Sequence, residues 1–161
     1  MNDARCKDQN EKLWRRARFL VFTFAFFIAA LASTGCSYLF YPRADEFLAK
    51  AKGATGVETL VNLTNMLEAS AKAARGGKGY DAPLNDLHNQ FHALHDAFCG
   101  VTKEQTEMPA YARAVTINKE LWTIFKRLWK YKDDQPQRDD HLDLFAKHVQ
   151  ELRETLQALK G

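Results

Sequence analysis

Five histidines and one nearby cysteine are the residues with the clearest potential for chemistry. They are His88, His92, His95 and Cys99 in one segment, and His141 and His148 in a later one. At about 100° per residue, the first set lies on one stripe of a helix. Imidazoles at positions i and i+4 are able to bind one metal ion, and a thiolate or carboxylate completes the coordination. The pattern therefore indicates a divalent transition metal site, with Ni, Co, Cu and Zn all compatible. The alternative is that these imidazoles lie at the core boundary, each with a packed ring and a wet edge.

The elements that position these residues have the apolar periodicity of helices. Apolar residues recur at steps of three and four, in the sets Leu60, Leu63, Leu67; Leu84, Leu87, Phe91, Leu94, Phe98, Val101; Ile117, Leu121, Ile124, Leu128; and Leu142, Phe145, Val149, Leu152, Leu156, Leu159. A short first piece at 43–52 precedes a restart that Thr55 caps, with Glu58 as its capping-box partner. Gly76–Gly79, Pro109 and the polar break at 132–138, which contains Pro136, separate the helices. The sequence predicts an all-α fold, an antiparallel up-and-down bundle of about four helices of roughly 20–25 residues.

The third predicted helix has more apolar surface than one seam is able to bury. Trp122 and Trp129 lie seven residues apart on one stripe. They either complete the core or face a partner, which would be another membrane or envelope protein or a second copy of the chain. Lys119, Lys126, Arg127 and Lys130 lie next to them and have the pattern of a solvated face.

The N-terminal segment predicts a membrane location. Residues 19–41 form a run of 23 residues without charge, which is long enough to span a bilayer. Lys12, Arg15, Arg16 and Arg18 precede the run, and this basic side is expected to stay in the cytoplasm. We therefore predict three parts: a basic cytoplasmic tail at 1–18, an anchor or signal at 19–41, and a domain at 42–161 in the periplasm or outside the cell.

The end of the apolar run allows two further interpretations. Its most apolar part, Phe19 to Leu31, has about the length of a secretory signal core. The following residues, Ala32 to Ser37, resemble the lipobox of bacterial lipoproteins. That resemblance implies cleavage before Cys36 and lipidation of its sulfur. A retained anchor, a lipoprotein and plain secretion are thus the three alternatives, and the first two tether the domain to a membrane.

Charge and missing motifs exclude several functions. Of the 23 Lys/Arg and 20 Asp/Glu residues, 6 and 3 fall within residues 1–42, which leaves 17 of each in residues 43–161. This neutral domain lacks the positive charge that nucleic-acid binding requires. The sequence contains no phosphate-binding glycine loop, nucleophile elbow or His-Glu-x-x-His motif. We therefore expect a protein that is not an enzyme and does not bind nucleic acid.

Three short segments resemble a known family. Leu87 to His92 and His148 to Arg153 are similar to segments of the membrane-anchored periplasmic nickel and cobalt sensors of metal-resistance systems. Val101 to Gln105 is similar to a box in related periplasmic helical-hairpin proteins. The resemblance implies that His88, His92 and His148 bind metal, although Leu152 stands where that family has a ligand methionine.

These observations predict a membrane-tethered, extracytoplasmic helical binding module that senses or buffers a divalent transition metal. A structural adaptor that docks through Trp122 and Trp129 without metal is the alternative. A b-type haem bundle is a lesser one, in which Met66 and either His141 or His148 ligate the iron.

Overall fold

The computed structural model describes residues 43–160, and within that range every regular element is helical. The α-helices are α1 (Ala44–Ala51), α2 (Gly56–Ala73), α3 (Asp81–Ala97), α4 (Lys103–Thr106), α5 (Pro109–Lys130) and α6 (Gln135–Gln157), with 3-10 turns at Phe98–Gly100 and Ala158–Lys160. The predicted all-α class is confirmed for this part of the chain. The predicted tail at 1–18, the anchor at 19–41 and Cys36 lie outside the described residues. No helix within residues 43–160 combines the length and apolar character that a membrane span requires.

The number and ends of the helices differ from the prediction of about four long ones. Four helices have 18, 17, 22 and 23 residues. The short helix α1 corresponds to the predicted first piece at 43–52, whereas the short helix α4 was not predicted. The second predicted helix ends at Ala97 and not at Val101, because the chain turns at Gly100, whose carbonyl group packs against Gly56. Pro136 lies in the first turn of α6 and not in a break. Proline is compatible with that position because the first helical N–H groups have no helical acceptor.

Polar side chains cap the starts of α2, α4 and α6. The Thr55 side chain accepts a hydrogen bond from the Glu58 N–H, as predicted. The Glu58 carboxylate accepts from the N–H of Ala54 at 2.7 Å and not from that of Thr55, so the reciprocal half of the predicted box lies one residue earlier. A complete capping box forms where it was not predicted, between Thr102 and Gln105 at the start of α4.

The core is built from the predicted apolar seams. Phe98 and Val101 are only partly buried, but the other seam residues are buried and belong to a single cluster. Helix α2 packs against α3 and α6, α5 packs against α6, and α1 lies on α3 and α2. The backbones of α3 and α5 are farther apart than these pairs, and aromatic side chains bridge the gap between them. This space between α3 and α5 is where the histidines of α3 lie.

A buried arginine joins two loops at one end of the bundle. Arg138 is 1% exposed, and its guanidinium group donates hydrogen bonds to the backbone oxygens of Gly76 and Lys132. The same group lies 3.9 Å from the centre of the Tyr80 ring. Because the loop after α2 and the loop before α6 are held by one charged side chain, the connections at this end are fixed relative to the helices.

Candidate functional site

Two histidines one turn apart on α3 form a close pair. The Nε2 atoms of His88 and His92 lie 3.0 Å apart, and the ring centres are separated by 4.7 Å. Since a neutral imidazole has one N–H and one bare nitrogen, a hydrogen bond at this distance requires one Nε2 to donate and the other to accept. The two rings therefore share one proton between them. The two residues that the sequence singled out as an i, i+4 pair are thus in contact.

An aromatic bed, formed by Phe91 of α3 and Trp122, Phe125 and Trp129 of α5, supports the pair. The His88 ring stacks on Phe125 with centres 5.4 Å apart and planes inclined by 14°, and it meets Trp129 at 5.7 Å. His92 meets the edge of Trp122 at 6.0 Å. Phe125 also contacts the other three members of the bed. Phe125 therefore contacts His88 and every other member of the bed.

The bed also determines the electrostatics of His88. Burial lowers the pKa of His88 below its ordinary value of 6.5, because the charged imidazolium loses hydration, and the charge of His92 lowers it further. His92 itself is exposed. At neutral pH the pair therefore holds unprotonated nitrogen, which is the form that a metal ion binds.

The two histidines of α6 lie elsewhere and have a defined tautomer. The Nδ1 atoms of His141 and His148 are 2.7 Å and 2.9 Å from the backbone oxygens of Gln137 and Leu144. A carbonyl oxygen only accepts, so each Nδ1 carries the hydrogen and each Nε2 is left as an acceptor in the neutral ring. The Nε2 of His148 lies 4.0 Å from a carboxylate oxygen of Glu120 on α5.

The structure does not bring His148 together with His88 and His92. Glu120, which His148 faces, is about 140–180° around α5 from Trp122, Phe125 and Trp129, at about 100° per residue. The His148 site and the α3 pair thus lie on opposite sides of a helix that is about 10 Å wide with its side chains. Within residues 43–160, no three histidine, cysteine, aspartate or glutamate side chains converge as metal donors.

The remaining predicted donors on α3 have other neighbours. His95 is exposed, and its Nδ1 lies 3.6 Å from a carboxylate oxygen of the adjacent Asp96. Cys99 is exposed in the 3-10 turn after α3. For the haem alternative, Met66 is partly buried and packs against the core.

The sequence left open whether Trp122 and Trp129 complete the core or face a partner, and the two residues differ in burial. Trp129 is packed against the core, whereas Trp122 is 36% exposed. Phe125 was predicted only as an apolar extension of the third helix, and its role as the support of His88 was missed. The signal was present, because Phe125 lies three residues after Trp122 and four before Trp129, a spacing that places all three on one side of a helix.

No protein-family model, curated protein or solved structure matches this chain.

Proposed function

We propose that this protein is a non-enzymatic, membrane-tethered, extracytoplasmic module that binds a divalent transition metal ion through His88 and His92. The observation that carries the proposal is the 3.0 Å separation of the two Nε2 atoms. Two nitrogen ligands at about 2.0–2.1 Å from one ion, with an angle of about 90–110° at the metal, lie roughly 2.9–3.4 Å apart. The two nitrogen atoms already have this separation, so the helix backbone need not move and only the ring orientations must adjust for both to bind one ion.

The protonation of the pair is compatible with metal binding. When both Nε2 atoms bind one ion, the ring that carried its hydrogen on Nε2 takes the Nδ1–H form instead, so both rings stay neutral and no proton is lost from the neutral pair. The lowered pKa of His88 keeps that ring from competing for a second proton near neutral pH. The aromatic bed fixes the ring of His88 and excludes water from one side of it.

A site with two protein ligands suits sensing or buffering more than structural binding. Structural zinc sites have four protein ligands, whereas open sites leave positions for water or another ligand. His88 and His92 leave at least two positions open. Bound metal would therefore exchange with solution, which a sensor or a buffer requires. The metal is one of Ni, Co, Cu or Zn, all of which accept imidazole nitrogen.

The test compares metal content in paired variants of the full chain. We expect His88→Ala/His92→Ala to lose the bound metal, measured by elemental analysis after exposure to each ion. The matched control, His95→Ala/His141→Ala, removes the same number of imidazoles and should keep the metal content of the parent. Equal metal in both variants, or a parent that holds none, contradicts the proposal. An absorbance scan of the same samples tests the haem alternative, since bound haem gives a Soret band.

The arrangement of the four long helices relative to one another is part of the proposal. Several contacts support an antiparallel up-and-down bundle of α2, α3, α5 and α6. They join Gln90 to Ser70, Arg153 to Glu68, Arg75 to Asp143, Arg113 to Glu151, and Phe98 to Tyr111. In the α3–α5 and α5–α6 pairs, residues near the start of one helix meet residues near the end of the other. Between α2 and α6, the partner moves back from Arg153 to Asp143 as the chain advances from Glu68 to Arg75, which is also the antiparallel sense.

The tether is proposed from the uncharged run at 19–41 and the lipobox-like junction at Cys36. Measurement of the mass of the mature protein separates the two forms of tether. Cleavage before Cys36 with acylation changes the mass, whereas a retained anchor leaves it as encoded. The adaptor without metal remains a second candidate, supported by the exposure of Trp122, and a parent protein without metal would favour it.

A further inference from the structure

A row of cations on the outward side of α5 has no acidic partner. Lys119, Lys126 and Lys130 lie within about 40° of one another around the helix, at about 100° per residue, and Arg127 borders them. All four side chains are exposed, and none forms an ion pair within residues 43–160. The acidic residue of α5, Glu120, faces α6 instead. The positive charge of this row is therefore not neutralised locally.

Trp122 stands beside the row and combines an apolar ring with a polar edge. One face of its ring packs on Phe91 and Phe125, with centres 5.5 Å and 5.7 Å apart. The rest of the side chain is exposed, at 36% of the residue surface. Tryptophan with one end packed and the other wet is enriched where proteins meet the headgroup region of a bilayer.

The exposed surface around Trp122 suits a flat, charged partner better than a protein partner. A stable protein interface has a buried core of several large apolar side chains. Within residues 43–160 the exposed large apolar residues are Trp122 and Leu144, and these lie on different helices. The lysines extend over about 16 Å along the helix axis, at about 1.5 Å per residue. One aromatic ring with a straight row of cations fits a flat anionic surface, where lysines act at a distance and close packing is not needed.

We infer that the α5 basic face, defined by Lys119, Trp122, Lys126 and Lys130, docks on a bilayer surface that contains anionic phospholipid headgroups. The inference rests on the proposed membrane tether, because anchoring in the same bilayer keeps the face at high effective concentration near the headgroups. The lysines attract the lipid phosphates, and the ring of Trp122 enters the interfacial layer.

The size of the effect follows from the number of lysines. Each lysine close to an anionic bilayer strengthens binding by about fivefold, so three contribute roughly a hundredfold to the ratio of docked to undocked molecules. High salt should remove most of this, because the screening length falls from about 10 Å at 0.1 M to about 3 Å at 1 M.

The experiment follows the fluorescence of Trp122 in the full chain reconstituted into vesicles. Vesicles of phosphatidylcholine are compared with vesicles that also contain phosphatidylglycerol, and brominated lipids in each serve as quenchers. Subtraction of the Trp122→Phe signal isolates the contribution of Trp122 from those of Trp14 and Trp129. We expect quenching of Trp122 in the anionic vesicles alone, and its loss in 1 M salt.

Two triple variants make the test specific. Lys119→Gln/Lys126→Gln/Lys130→Gln should abolish the quenching. The matched control, Lys72→Gln/Lys78→Gln/Lys147→Gln, removes the same charge from other exposed positions and should retain it. Equal quenching in both lipid mixtures, or equal quenching in the two triple variants, overturns the inference. So does shielding of Trp122 that arises in protein-containing native membranes and is absent from protein-free vesicles, since this would identify a protein partner.

The outcomes for the tether and for docking remain distinguishable. Flotation of the full chain with phosphatidylcholine vesicles reports the tether, since insertion of an apolar segment needs no lipid charge. A chain that floats with both vesicle types without quenching of Trp122 retains the tether and loses the docking inference. Metal content of the same lysine variants, measured in phosphatidylcholine vesicles where no docking is expected, should be unchanged, because none of the ring contacts or hydrogen bonds that His88 and His92 make within residues 43–160 involves these lysines.

Discussion

Phe125 offers the sharpest test of the idea that the aromatic bed prepares His88 for metal. Its ring stacks on His88 and contacts Phe91, Trp122 and Trp129. Phe125→Leu keeps an apolar side chain of similar volume in the core but removes the flat surface against which the imidazole lies. The ring of His88 then has more rotational freedom, and its Nε2 is less often 3.0 Å from that of His92.

The magnitude follows from two separate costs. For the fold, a near-isosteric core replacement costs up to about 1.5 kcal/mol, and lost aromatic contacts raise the total to about 2–3 kcal/mol. For the metal, loss of a group that orients a ligand weakens affinity by roughly tenfold, the lower end of the range for such supporting residues. A tenfold change corresponds to about 1.4 kcal/mol.

Phe145→Leu is the matched control. Phe145 is also fully buried in the core, on α6, and makes no ring contact with a histidine among those of the described residues. We expect its replacement to cost about 1–1.5 kcal/mol of stability and to leave metal affinity unchanged. The assays are thermal unfolding for stability and competitive metal titration of the full chain for affinity.

An equal loss of metal affinity in Phe125→Leu and Phe145→Leu would refute the reasoning. If both weaken metal binding by the same factor, general loosening of the core explains the loss and the stack on His88 has no specific role. If neither weakens it while His88→Ala/His92→Ala does, the pair binds metal without help from the bed.

Two further predictions test the site and the fold. Because the folded state lowers the pKa of His88, unfolded chains bind more protons below about pH 6.5, so stability should fall as the pH falls through that range. Metal affinity should fall in parallel, and His88→Gln should lose part of the pH effect on thermal unfolding; an unchanged pH profile in that variant argues against the assignment. Gly56→Ala should cost about 3 kcal/mol, because its Cβ would stand 2.0 Å from the backbone oxygen of Gly100. Gly77→Ala, which meets only Gln135 Oε1 at 3.2 Å, should melt within a few degrees of the parent. Similar melting of the two alanine variants would contradict the close approach.

Local spacing was enough to predict the parts of the structure that depend on one helix. The steps of three and four identified the buried seams, and the i, i+4 spacing identified the contact between His88 and His92. Both follow from helix geometry alone, so no knowledge of neighbouring helices was needed. The cap at Thr55 was equally local, since it involves a residue only three positions away.

Features that depend on two helices were not predictable in the same way. A heptad pattern states which side of a helix is buried but not which neighbour covers it. The family-like grouping of His148 with His88 depends on that choice, and the structure places His148 against Glu120 instead. Arg138 shows the same limit. Its guanidinium group binds two loop carbonyls, and one of them, that of Gly76, is 62 positions away. No periodicity signals such an arrangement.

Trp122 connects the two proposed sites, because its ring contacts His92 at 6.0 Å and borders the lysines of the α5 basic face. The neutral histidine pair carries no net charge, whereas a bound divalent ion adds positive charge next to the docking surface. Occupancy of the pair should then strengthen attraction to an anionic bilayer, and by linkage docking should tighten metal binding by the same factor. Protonation of His88 competes with the metal for its nitrogen, so the coupling is best measured near neutral pH, where the lowered pKa of His88 leaves that nitrogen free.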